Sequence, residues 1–578
     1  MGKDGRFERI LSYLLPAGPP NAMLTVENLS IAFHTPEGLR PTVNDMSMEI
    51  GAGEIVGLVG ESGSGKTLLS LAILGLLPAN AVITSGRVTL DGNPVSTLGP
   101  EAMRRLRGNR ISMVFQDPMA SLDPVFTCGD QIMDAILMHE NVGRTAARRR
   151  ALALLERLQL PDPARAMRAY PHELSGGQCQ RVMIAIAVAC EPDVIIADEP
   201  TTALDVTVQK QVLDILRDLN RDVGAAILLI THDLGVVFQV ADRVVVMYRG
   251  DKVEEASTPE IFARPTSDYT RALIGAMPTI GQRRDRLRTI GDADAPPRPS
   301  AARKAAPAAD LPPVLRVEGL SKTYRLKAGP FAPAREFRAV GAVSLSIAPR
   351  TTLGLVGESG CGKTTLSRLI LQMQKADKGE VWFNGEDLTK LDANRLRDVR
   401  RDIALVFQNP YASLNPRQTV AEIVSAPLII HGRANEAGRT TARLIDAVGL
   451  PAASLHKYPH AFSGGQRQRI AIARALALNP LLLVCDEAVS ALDVSVQAQV
   501  INLLKDLQQE FDLTYLFISH DLAVVEHISD TVAVMRAGRI VEYGPADRIF
   551  AAPQQAYTRT LLEAVPQMHV AVPSGMPA

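Results

Sequence analysis

The chain has 578 residues, which is too long for one hydrophobic core and predicts about two to four domains. Apolar residues make up 46% of it and charged residues 21%, a balance that excludes disordered and collagen-like chains. Lysine and arginine number 62, as do aspartate and glutamate, so no global basic field marks a nucleic-acid binder. No apolar run approaches the roughly 18–20 residues of a membrane-spanning helix. The five cysteines form no ligand-spaced cluster, which argues against structural zinc and a disulfide framework.

Two halves of the chain repeat the same series of motifs. GLVGESGSGKT at 57–67 recurs as GLVGESGCGKT at 354–364. VFQDPMASLDP then recurs as VFQNPYASLNP, and ELSGGQCQR recurs as AFSGGQRQR. From Ser175 and Ser463 onwards, every matched pair is 288 residues apart (463 − 175 = 288). We therefore predict two homologous domains that differ by a few loop insertions.

The domain boundaries follow from where the repeats begin and end. We predict an N-terminal extension at 1–22, a first repeat at 23–278, a linker at 279–313, a second repeat at 314–566 and a tail at 567–578. Proline, alanine and arginine dominate the linker, which lacks apolar periodicity, so we expect a flexible-to-extended tether. Its arginines are interpreted as solvated parts of that tether: Arg283, Arg284, Arg286 and Arg288.

Short apolar runs punctuate each repeat and end in turns or polar residues. In the first repeat they are Ile55–Val59, Val194–Ala197 and Ile227–Ile230, and in the second Thr352–Val356, Leu481–Cys485 and Tyr515–Ile518. Runs that are apolar on both faces and alternate with helical segments predict a parallel sheet covered by helices. Ligands of such sheets gather at the carboxyl ends of the strands, where the polar endings lie.

Each repeat carries GxxxxGK[ST] between an apolar run and a helix. The glycines let backbone N–H groups turn inward around phosphates, and the helix N-terminus adds favourable partial charge. We expect Lys66 and Lys363 to reach the β- and γ-phosphates, and Thr67 and Thr364 to coordinate Mg²⁺. Two matches in the same context predict nucleotide binding.

A second set of polar residues follows the later apolar runs. Asp198 and Asp486 suit Mg²⁺ coordination, whereas the following Glu199 and Glu487 suit a general base that activates water. Each carboxylate pair ends a buried apolar run, which argues against a surface acidic patch. Two further matched pairs are expected at the same site, where the glutamines contact metal and water and the histidines contact the γ-phosphate: Gln116 and Gln408, His232 and His520.

LSGGQ, FSGGQ, the two Asp-Glu pairs, the two ALD motifs and the histidines together resemble the nucleotide-binding domains of ABC transporters. The resemblance implies an α/β fold: two P-loop NTPase domains, each with a RecA-like, mostly parallel sheet, an antiparallel β part and a helical subdomain. In that family two such domains face head to tail, so that each ATP lies between one P-loop and the other signature. The same resemblance implies that the segments 117–173 and 409–461 form the helical subdomains and receive permease loops.

The resemblance also implies the ATP site of each repeat, residue by residue. The ATP-binding residues are Phe33, Gly60, Glu61, Ser62, Gly63, Ser64, Gly65, Lys66, Thr67 and Leu68, then Tyr324, Gly357, Glu358, Ser359, Gly360, Cys361, Gly362, Lys363, Thr364 and Thr365. The signature residues are Ser175, Gly176, Gly177, Gln178, Ser463, Gly464, Gly465 and Gln466, at the start of a helix predicted over Gln180–Ala189 in the first repeat. Asp205 and Asp493 are the D-loop residues, and the Mg²⁺ ligands are Thr67, Gln116, Asp198, Thr364, Gln408 and Asp486. Phe33 and Tyr324 take the adenine-stacking position by resemblance, although their residue types equally fit aromatic packing within a strand.

Details of the motifs narrow the group. QDPMASLDP, QNPYASLNP and the tails RPTSDYTRALIGAMP and APQQAYTRTLLEAVP are similar to those of the peptide-importer ATPases. The resemblance implies two membrane permease subunits, an extracytoplasmic solute-binding protein, and attachment to the cytoplasmic face of the inner membrane. Many relatives carry a cysteine cluster after that tail, but no cysteine lies between Pro278 and Cys361 or after Pro566. We therefore expect no iron–sulfur cluster.

Two alternatives remain open from the sequence. Tandem cassettes also occur in ABC-F translation factors, which bind ribosomes, but those have a long charged helical linker, whereas this linker is rich in proline. We therefore expect no nucleic-acid partner. We expect no residue of this chain to contact the transported solute, so glutathione, nickel chelates and sugars remain alternatives to peptides.

Overall fold

The structure is a computed structural model that describes residues 22–201, 205–289, 311–326, 335–490 and 492–566. These residues divide into two compact units, with 22–201 and 211–270 in unit 1 and 205–210 and 271–566 in unit 2. The unit boundary thus precedes the predicted linker, whose residues 290–310 lie outside the described part. The tail 567–578 and residues 1–21 of the extension also lie outside it.

The first repeat folds into two sheets. The strands are β1 Ala22–Thr35, β2 Gly38–Gly51, β3 Ile55–Val59, β4 Ala81–Leu90, β5 Asn93–Pro94, β6 Ile111–Val114, β7 Val194–Asp198, β8 Ala226–Thr231, β9 Arg243–Tyr248 and β10 Asp251–Ser257. An antiparallel sheet has the order β2-β1-β4-β5, and a six-stranded sheet has the order β10-β9-β3-β8-β7-β6. All neighbours in the second sheet are parallel except β9 and β10. The expected mostly parallel sheet with an antiparallel part is confirmed.

The helices of the first repeat lie between these strands. They are α1 Lys66–Ile73, α2 Pro100–Leu106, α3 Pro118–Ser121, α4 Cys128–His139, α5 Arg144–Arg157, α6 Pro163–Ala166, α7 Gly176–Val188, α8 Val206–Val223, α9 Leu234–Val240, α10 Thr258–Ala263 and α11 Asp268–Gly275, with a 3₁₀ turn at Pro171–Glu173. Helices α3 to α6 fill the stretch between β6 and the signature, as expected of a helical subdomain.

The second repeat has the same plan. Its strands are β11 Leu315–Leu326, β12 Arg335–Ile347, β13 Thr352–Val356, β14 Lys378–Phe383, β15 Glu386–Asp387, β16 Ile403–Val406, β17 Leu482–Asp486, β18 Thr514–Ile518, β19 Thr531–Arg536 and β20 Arg539–Pro545. Their orders, β12-β11-β14-β15 and β16-β17-β18-β13-β19-β20, match those of the first repeat.

The helices of the second repeat follow in the corresponding places. They are α12 Lys363–Ile370, α13 Ala393–Val399, α14 Pro410–Ser413, α15 Val420–Ile430, α16 Ala437–Ala447, α17 Gly464–Leu476, α18 Val494–Phe511, α19 Leu522–Ile528, α20 Ala546–Ala551 and α21 Ala556–Ala564. Short 3₁₀ turns occupy Leu388–Lys390, Ala434–Glu436, Ala452–His456 and Pro459–Ala461. Among the described helices of both repeats, none is long and apolar enough to cross a membrane.

The central strands carry the core of each repeat. All five residues of β3, and likewise of β7, β13, β17 and β18, are buried. Buried aliphatic side chains from these strands pack against α1 in the first repeat and α12 in the second. Burial on both faces explains why these strands are continuous apolar runs, and why β3 and β13 begin and end where the sequence predicts.

The signature helix begins earlier than the sequence indicated. We predicted it over Gln180–Ala189, but α7 runs from Gly176 to Val188. The reason is a capping box, because Ser175 and Gln178 exchange hydrogen bonds between side chain and backbone N–H and so start the helix before the glycines. Both signature glycines therefore belong to the first turn of the helix.

The interpretation of the linker arginines also needs correction. Arg283 and Arg286 are not solvated parts of a tether, because they form ion pairs with Asp547 and Asp506 inside unit 2. The sequence offered no signal for these pairs, since Arg286 and Asp506 stand 220 residues apart.

Candidate functional site

The turn after β3 wraps tightly around backbone atoms of its own unit. Gly60 has a φ of 154°, and a Cβ there would lie 2.1 Å from the carbonyl oxygen of Met247. Gly357 repeats this in unit 2, with a φ of 150° and the same 2.1 Å to Met535. Only glycine fits at either place, and the turn delivers the chain directly into α1 or α12.

The lysine that opens each helix folds back over this turn. The ammonium group of Lys66 donates to the carbonyl oxygens of Gly60 at 2.8 Å and Glu61 at 2.9 Å. Lys363 does the same with Gly357 at 2.6 Å and Glu358 at 2.9 Å. A buried cation, inward-turned backbone and a helix N-terminus converge in both repeats, which is an arrangement suited to phosphate groups.

Strand β7 brings a buried carboxylate to the same edge of the sheet. Asp198 is 1% exposed, and its Oδ1 atom has no hydrogen-bond partner among the described residues. Burial raises the pKa of Asp198 to about 6, although a hydrogen bond from Thr67 opposes the shift. In unit 2, burial and the adjacent Glu487 raise the pKa of Asp486, whose Oδ1 is equally without a partner in the described chain.

A divalent cation would satisfy these orphaned oxygens. Hard cations prefer carboxylate, hydroxyl and amide oxygens, and Asp198 and Thr67 already interact in unit 1. The residues present therefore fit the Mg²⁺ that was expected from the sequence.

The next residue, the glutamate, is fixed from two sides. In unit 1, the Gln116 amide donates to Glu199 Oε2 at 2.6 Å, and His232 Nδ1 lies 3.1 Å from Oε1. Burial favours a lower pKa for His232, but the hydrogen bond and charge of Glu199 outweigh burial and raise this pKa. The strand order β3-β8-β7-β6 places the residues that follow these four strands side by side, so the sheet itself assembles the cluster.

The glutamate of unit 2 has the same neighbours with a looser histidine. Gln408 donates to Glu487 Oε2 at 2.6 Å, whereas His520 Nδ1 lies 3.7 Å from Oε1. Burial favours a higher pKa for Glu487, but His520 and Lys363 outweigh burial and lower this pKa. The carboxylate is therefore ionised at neutral pH and can accept a proton. The arrangement suits activation of a water molecule.

Both glutamates have left-handed backbone, which the sequence did not reveal. The φ angle is 49° at Glu199 and 50° at Glu487. A residue with a Cβ rarely adopts this conformation, which costs of order 1–3 kcal/mol and persists only where surrounding structure imposes it. Because both repeats keep the same strain, we infer that the orientation of the glutamate side chain is worth the conformational energy of its backbone.

The signature residues lie at exposed helix starts. Ser175 and Ser463 each cap a helix of 13 residues, with the hydroxyl accepting from the N–H of Gln178 and Gln466. Each cap leaves the glycine N–H groups of the first turn next to an exposed serine, as expected of an anion site. The D-loop residue Asp493 is likewise a helix cap, accepting from the N–H of Val496 at 3.0 Å.

The aromatic candidates Phe33 and Tyr324 lie half-buried on the antiparallel sheets. Phe33 pairs with Arg40 on β2, and the side chain of Val43, three residues further along β2, would lie 2.8 Å from a Cβ at Gly65 of the P-loop. The part of β2 around Val43 therefore packs against the P-loop. The hydroxyl of Tyr324 donates to Gln374 at 2.7 Å.

One P-loop contact was missed by the sequence reading. The N–H of Glu61 donates to the hydroxyl of Tyr269 at 3.2 Å, and the N–H of Glu358 donates to Tyr557 at 3.3 Å. Tyr269 lies on α11 and Tyr557 on α21, and the two are 288 residues apart (557 − 269 = 288). That repeat spacing was the signal that could have found them.

We expect Tyr269→Phe and Tyr557→Phe, made together, to raise the KM for ATP about threefold to tenfold. Loss of the hydroxyl leaves one P-loop N–H without its acceptor, which costs about 1 kcal/mol. Steady-state ATPase assays on the full chain measure KM and kcat separately, and kcat should stay within about twofold. Tyr248→Phe is the matched control, because its ring keeps the 4.2 Å contact with Tyr269. An unchanged KM would show that the tyrosines do not position the loop.

Comparison with protein families agrees with this geometry in both repeats. The family described as "ABC transporter" matches residues 43–202 and 340–490, which together are more than half of the chain. The family described as "Oligopeptide/dipeptide transporter, C-terminal region" matches 253–303 and 541–574. The second family covers the helices that carry Tyr269 and Tyr557.

Full-length relatives resemble the chain from end to end. The glutathione import ATP-binding protein GsiA of Pectobacterium atrosepticum is 45% identical over 567 residues, which are 95% of this chain and 90% of the relative. The protein of the same name from Escherichia coli O157:H7 is 46% identical over 565 residues, 96% of this chain and 90% of the relative. Both repeats and the segment between them thus have counterparts in one polypeptide.

Proposed function

The chain belongs to the ABC transporter family of ATP-binding proteins, and on that premise we propose that it drives uptake of peptides by hydrolysing ATP in both repeats. The observation that carries the proposal is the completeness of both clusters. Each has a P-loop with its lysine, a buried aspartate, and a glutamate held by a glutamine next to a histidine. Neither repeat lacks a residue that hydrolysis needs.

The residues divide the chemistry among them. Lys66 and the backbone of the P-loop hold the phosphates, while Glu199 takes a proton from the attacking water. Gln116 orients that glutamate, and His232 stabilises its charge or contacts the γ-phosphate. Thr67, Gln116 and Asp198 would hold Mg²⁺, which supplies charge neutralisation at the phosphate oxygens when bound. Their counterparts do the same work in the second repeat: Lys363, Glu487, Gln408, His520, Thr364 and Asp486.

We further infer that each ATP is shared between the repeats. The signature helices begin at exposed Ser175 and Ser463, and the glycine N–H groups of their first turns suit a phosphate that is held by the other repeat. One repeat alone then holds ATP without enclosing it. The two matched series of motifs support this pairing within a single chain.

The solute is a peptide in this proposal, and glutathione is the favoured example. The full-length relatives are named as glutathione import proteins, and glutathione is a tripeptide. The match of both C-terminal regions to the oligopeptide/dipeptide transporter family supports the same class. The two segments that match the oligopeptide/dipeptide family, 253–303 and 541–574, contain no cysteine. This supports the expectation of a transporter without an iron–sulfur cluster.

An importer motor acts on membrane permease subunits, and the helical subdomains offer surfaces for them. Between α3 and α4, Val125 is 71% exposed and Phe126 is 51% exposed. At the matching place in the second repeat stand Arg417 and Gln418. An apolar pair in one repeat and a polar pair in the other suit the loops of two different permeases. The chain would then sit at the cytoplasmic face of the inner membrane, and a solute-binding protein would deliver the peptide from outside.

The proposal is tested by uptake in cells that lack the gene for this chain. We expect the wild-type chain to restore uptake of labelled glutathione or small peptides, and Val125→Asp with Phe126→Asp to lower uptake at least tenfold while ATP binding persists. Leu39→Asp is the matched control, because Leu39 is 53% exposed at the start of β2. Co-purification with ribosomes instead of permeases, with peptide uptake unaffected, would favour the ABC-F alternative.

A further inference from the structure

The segment that follows α11 is bound along its length to the second repeat. We name residues 279–288 the docking segment; it belongs to unit 2 together with helices α18 and α19. Its composition gives no helix or strand, yet Leu287 is only 3% exposed and lies within the main apolar cluster of that unit. Ile280 packs against the same cluster. A ten-residue stretch of irregular chain is thus held at both ends by apolar contacts.

A buried asparagine forms two hydrogen bonds with the backbone of the docking segment. The N–H of Leu287 donates to Asn502 Oδ1 at 3.0 Å, and Asn502 Nδ2 donates to the carbonyl oxygen of Leu287 at 2.8 Å. Asn502 is 3% exposed on α18, so without the segment its amide would lose both of these partners. An unsatisfied buried amide costs about 1–3 kcal/mol, so the hydrogen bonds of Asn502 favour the bound position of the segment.

Charged contacts flank that asparagine. Arg286 makes a two-pronged ion pair with Asp506, at 2.6 and 3.0 Å. Arg283 donates to Asp547 at 3.2 Å and also to the carbonyl oxygen of Ser529 at 2.9 Å. When a planar guanidinium contacts both oxygens of a carboxylate, the pair fixes the relative orientation of the two side chains in addition to the attraction between their charges.

The remaining polar groups of the surface are also engaged. The carboxylate of Glu526 accepts from the N–H of Gly281 at 2.9 Å. Lys505 donates to the carbonyl oxygen of Asp285 at 3.3 Å and contacts His527 Nε2 at 2.9 Å. Burial and the charge of Lys505 lower the pKa of His527 to about 3, so this ring is neutral and its Nε2 accepts a hydrogen bond from the Lys505 ammonium group.

At most of the matching positions the first repeat carries different residues. At the spacing of 288 residues, Asn502 corresponds to Asp214, which is exposed on α8, and Asp547 corresponds to Pro259. Glu526 and His527 correspond to Phe238 and Gln239. The fold is shared and Asp506 has an aspartate counterpart in Asp218, but Asn502, Glu526, His527 and Asp547 are replaced by different residues in the first repeat.

We propose that Asn502, Asp506, Glu526 and Asp547 form a recognition surface for the docking segment, and that this surface holds the chain leaving the first repeat on the second without help from the covalent linker. The partner is an extended, arginine-rich stretch of this same chain with an apolar anchor at Leu287. The proposal concerns assembly and is independent of which solute is transported.

Limited trypsin digestion of the full chain tests the binding directly. Trypsin cleaves after arginine, and four such sites lie between Arg283 and Arg288. We expect the wild-type chain to be protected there, and Asn502→Leu to be cut at least tenfold faster. Asp214→Leu is the matched control at the corresponding helix position and should change the rate less than twofold. Equal cleavage in wild type and Asn502→Leu would overturn the proposal.

A cut linker tests whether the surface holds without a covalent connection. A specific protease site is inserted after Pro299 of the full chain, which is cleaved and passed over a sizing column without nucleotide. We expect the two fragments to elute together, and Arg286→Asp to separate them. Arg286→Asp with Asp506→Arg should restore co-elution, which a merely misfolded variant would not do. Separation of the wild-type fragments, or co-elution of the Arg286→Asp fragments, would overturn the proposal.

Discussion

Replacing Glu199 and Glu487 together with glutamine is expected to lower ATP turnover of the full chain by about 10²–10⁴-fold while ATP binding persists. Glutamine keeps the shape of the side chain and can still accept from Gln116 or Gln408, but it cannot take a proton from water. The P-loops are untouched, so ATP should still protect the protein against heat. Phosphate release and thermal unfolding with and without MgATP measure the two effects separately.

The control for this pair uses glutamates outside both clusters. Glu101 is exposed in the first turn of α2, and Glu436 forms an exposed ion pair with Arg433. Glu101→Gln with Glu436→Gln should leave turnover within about twofold. Wild-type turnover in the Glu199→Gln and Glu487→Gln chain would remove these residues from the role of general base. Single substitutions then show whether the tighter His232 contact gives the first site a different rate from the second.

Gly60→Ala is expected to abolish ATP binding in the first repeat, with at least a hundredfold loss of affinity at that site. A Cβ there lies 2.1 Å from the carbonyl oxygen of Met247, so the backbone of β9 or the P-loop must shift. Overpacking of this kind costs about 1–3 kcal/mol, and a left-handed alanine adds about 1–2 kcal/mol. Binding of a fluorescent ATP analogue is measured with Glu487→Gln present to slow turnover at the other site.

Gly63→Ala separates the clash from the backbone strain. Gly63 also has a positive φ, 82°, but a Cβ there meets no atom within 4 Å. We therefore expect it to lower stability slightly and to weaken ATP binding less than about tenfold. If Gly63→Ala and Gly60→Ala behave alike, conformational strain rather than the contact with Met247 explains the requirement for glycine.

Much of the fold was predictable because it depends on local patterns. Strands β3 and β13 are apolar on both faces and are bounded by glycine-rich turns, so their ends were placed correctly. The Asp-Glu pairs were found because each ends a buried strand, and the glutamines because they recur as a matched pair in the two repeats. The sheet order then brings these residues together. The start of α7 was misplaced, because glycine discourages a helix unless a capping box such as that of Ser175 and Gln178 begins it.

The features that were not predictable depend on contacts between distant residues. The ion pair between Arg286 and Asp506 has no local sequence signature, so composition alone favoured a solvated tether. The repeat spacing could single out Tyr269, but not the contact of its hydroxyl with the P-loop, which lies 208 residues away in the sequence. The left-handed backbone of Glu199 is likewise invisible in the sequence, since glutamate has no preference for it.

The backbone strain at Glu199 and Glu487 has a consequence for protein engineering. Glycine or asparagine adopts a left-handed backbone more readily than glutamate does, and so relieves part of the strain. Stabilising changes at strained active-site positions commonly remove activity. A selection of variants for heat resistance alone would therefore enrich chains that are changed at these two positions, fold well and no longer turn over ATP. Selection should be coupled to solute uptake if a more robust motor is wanted.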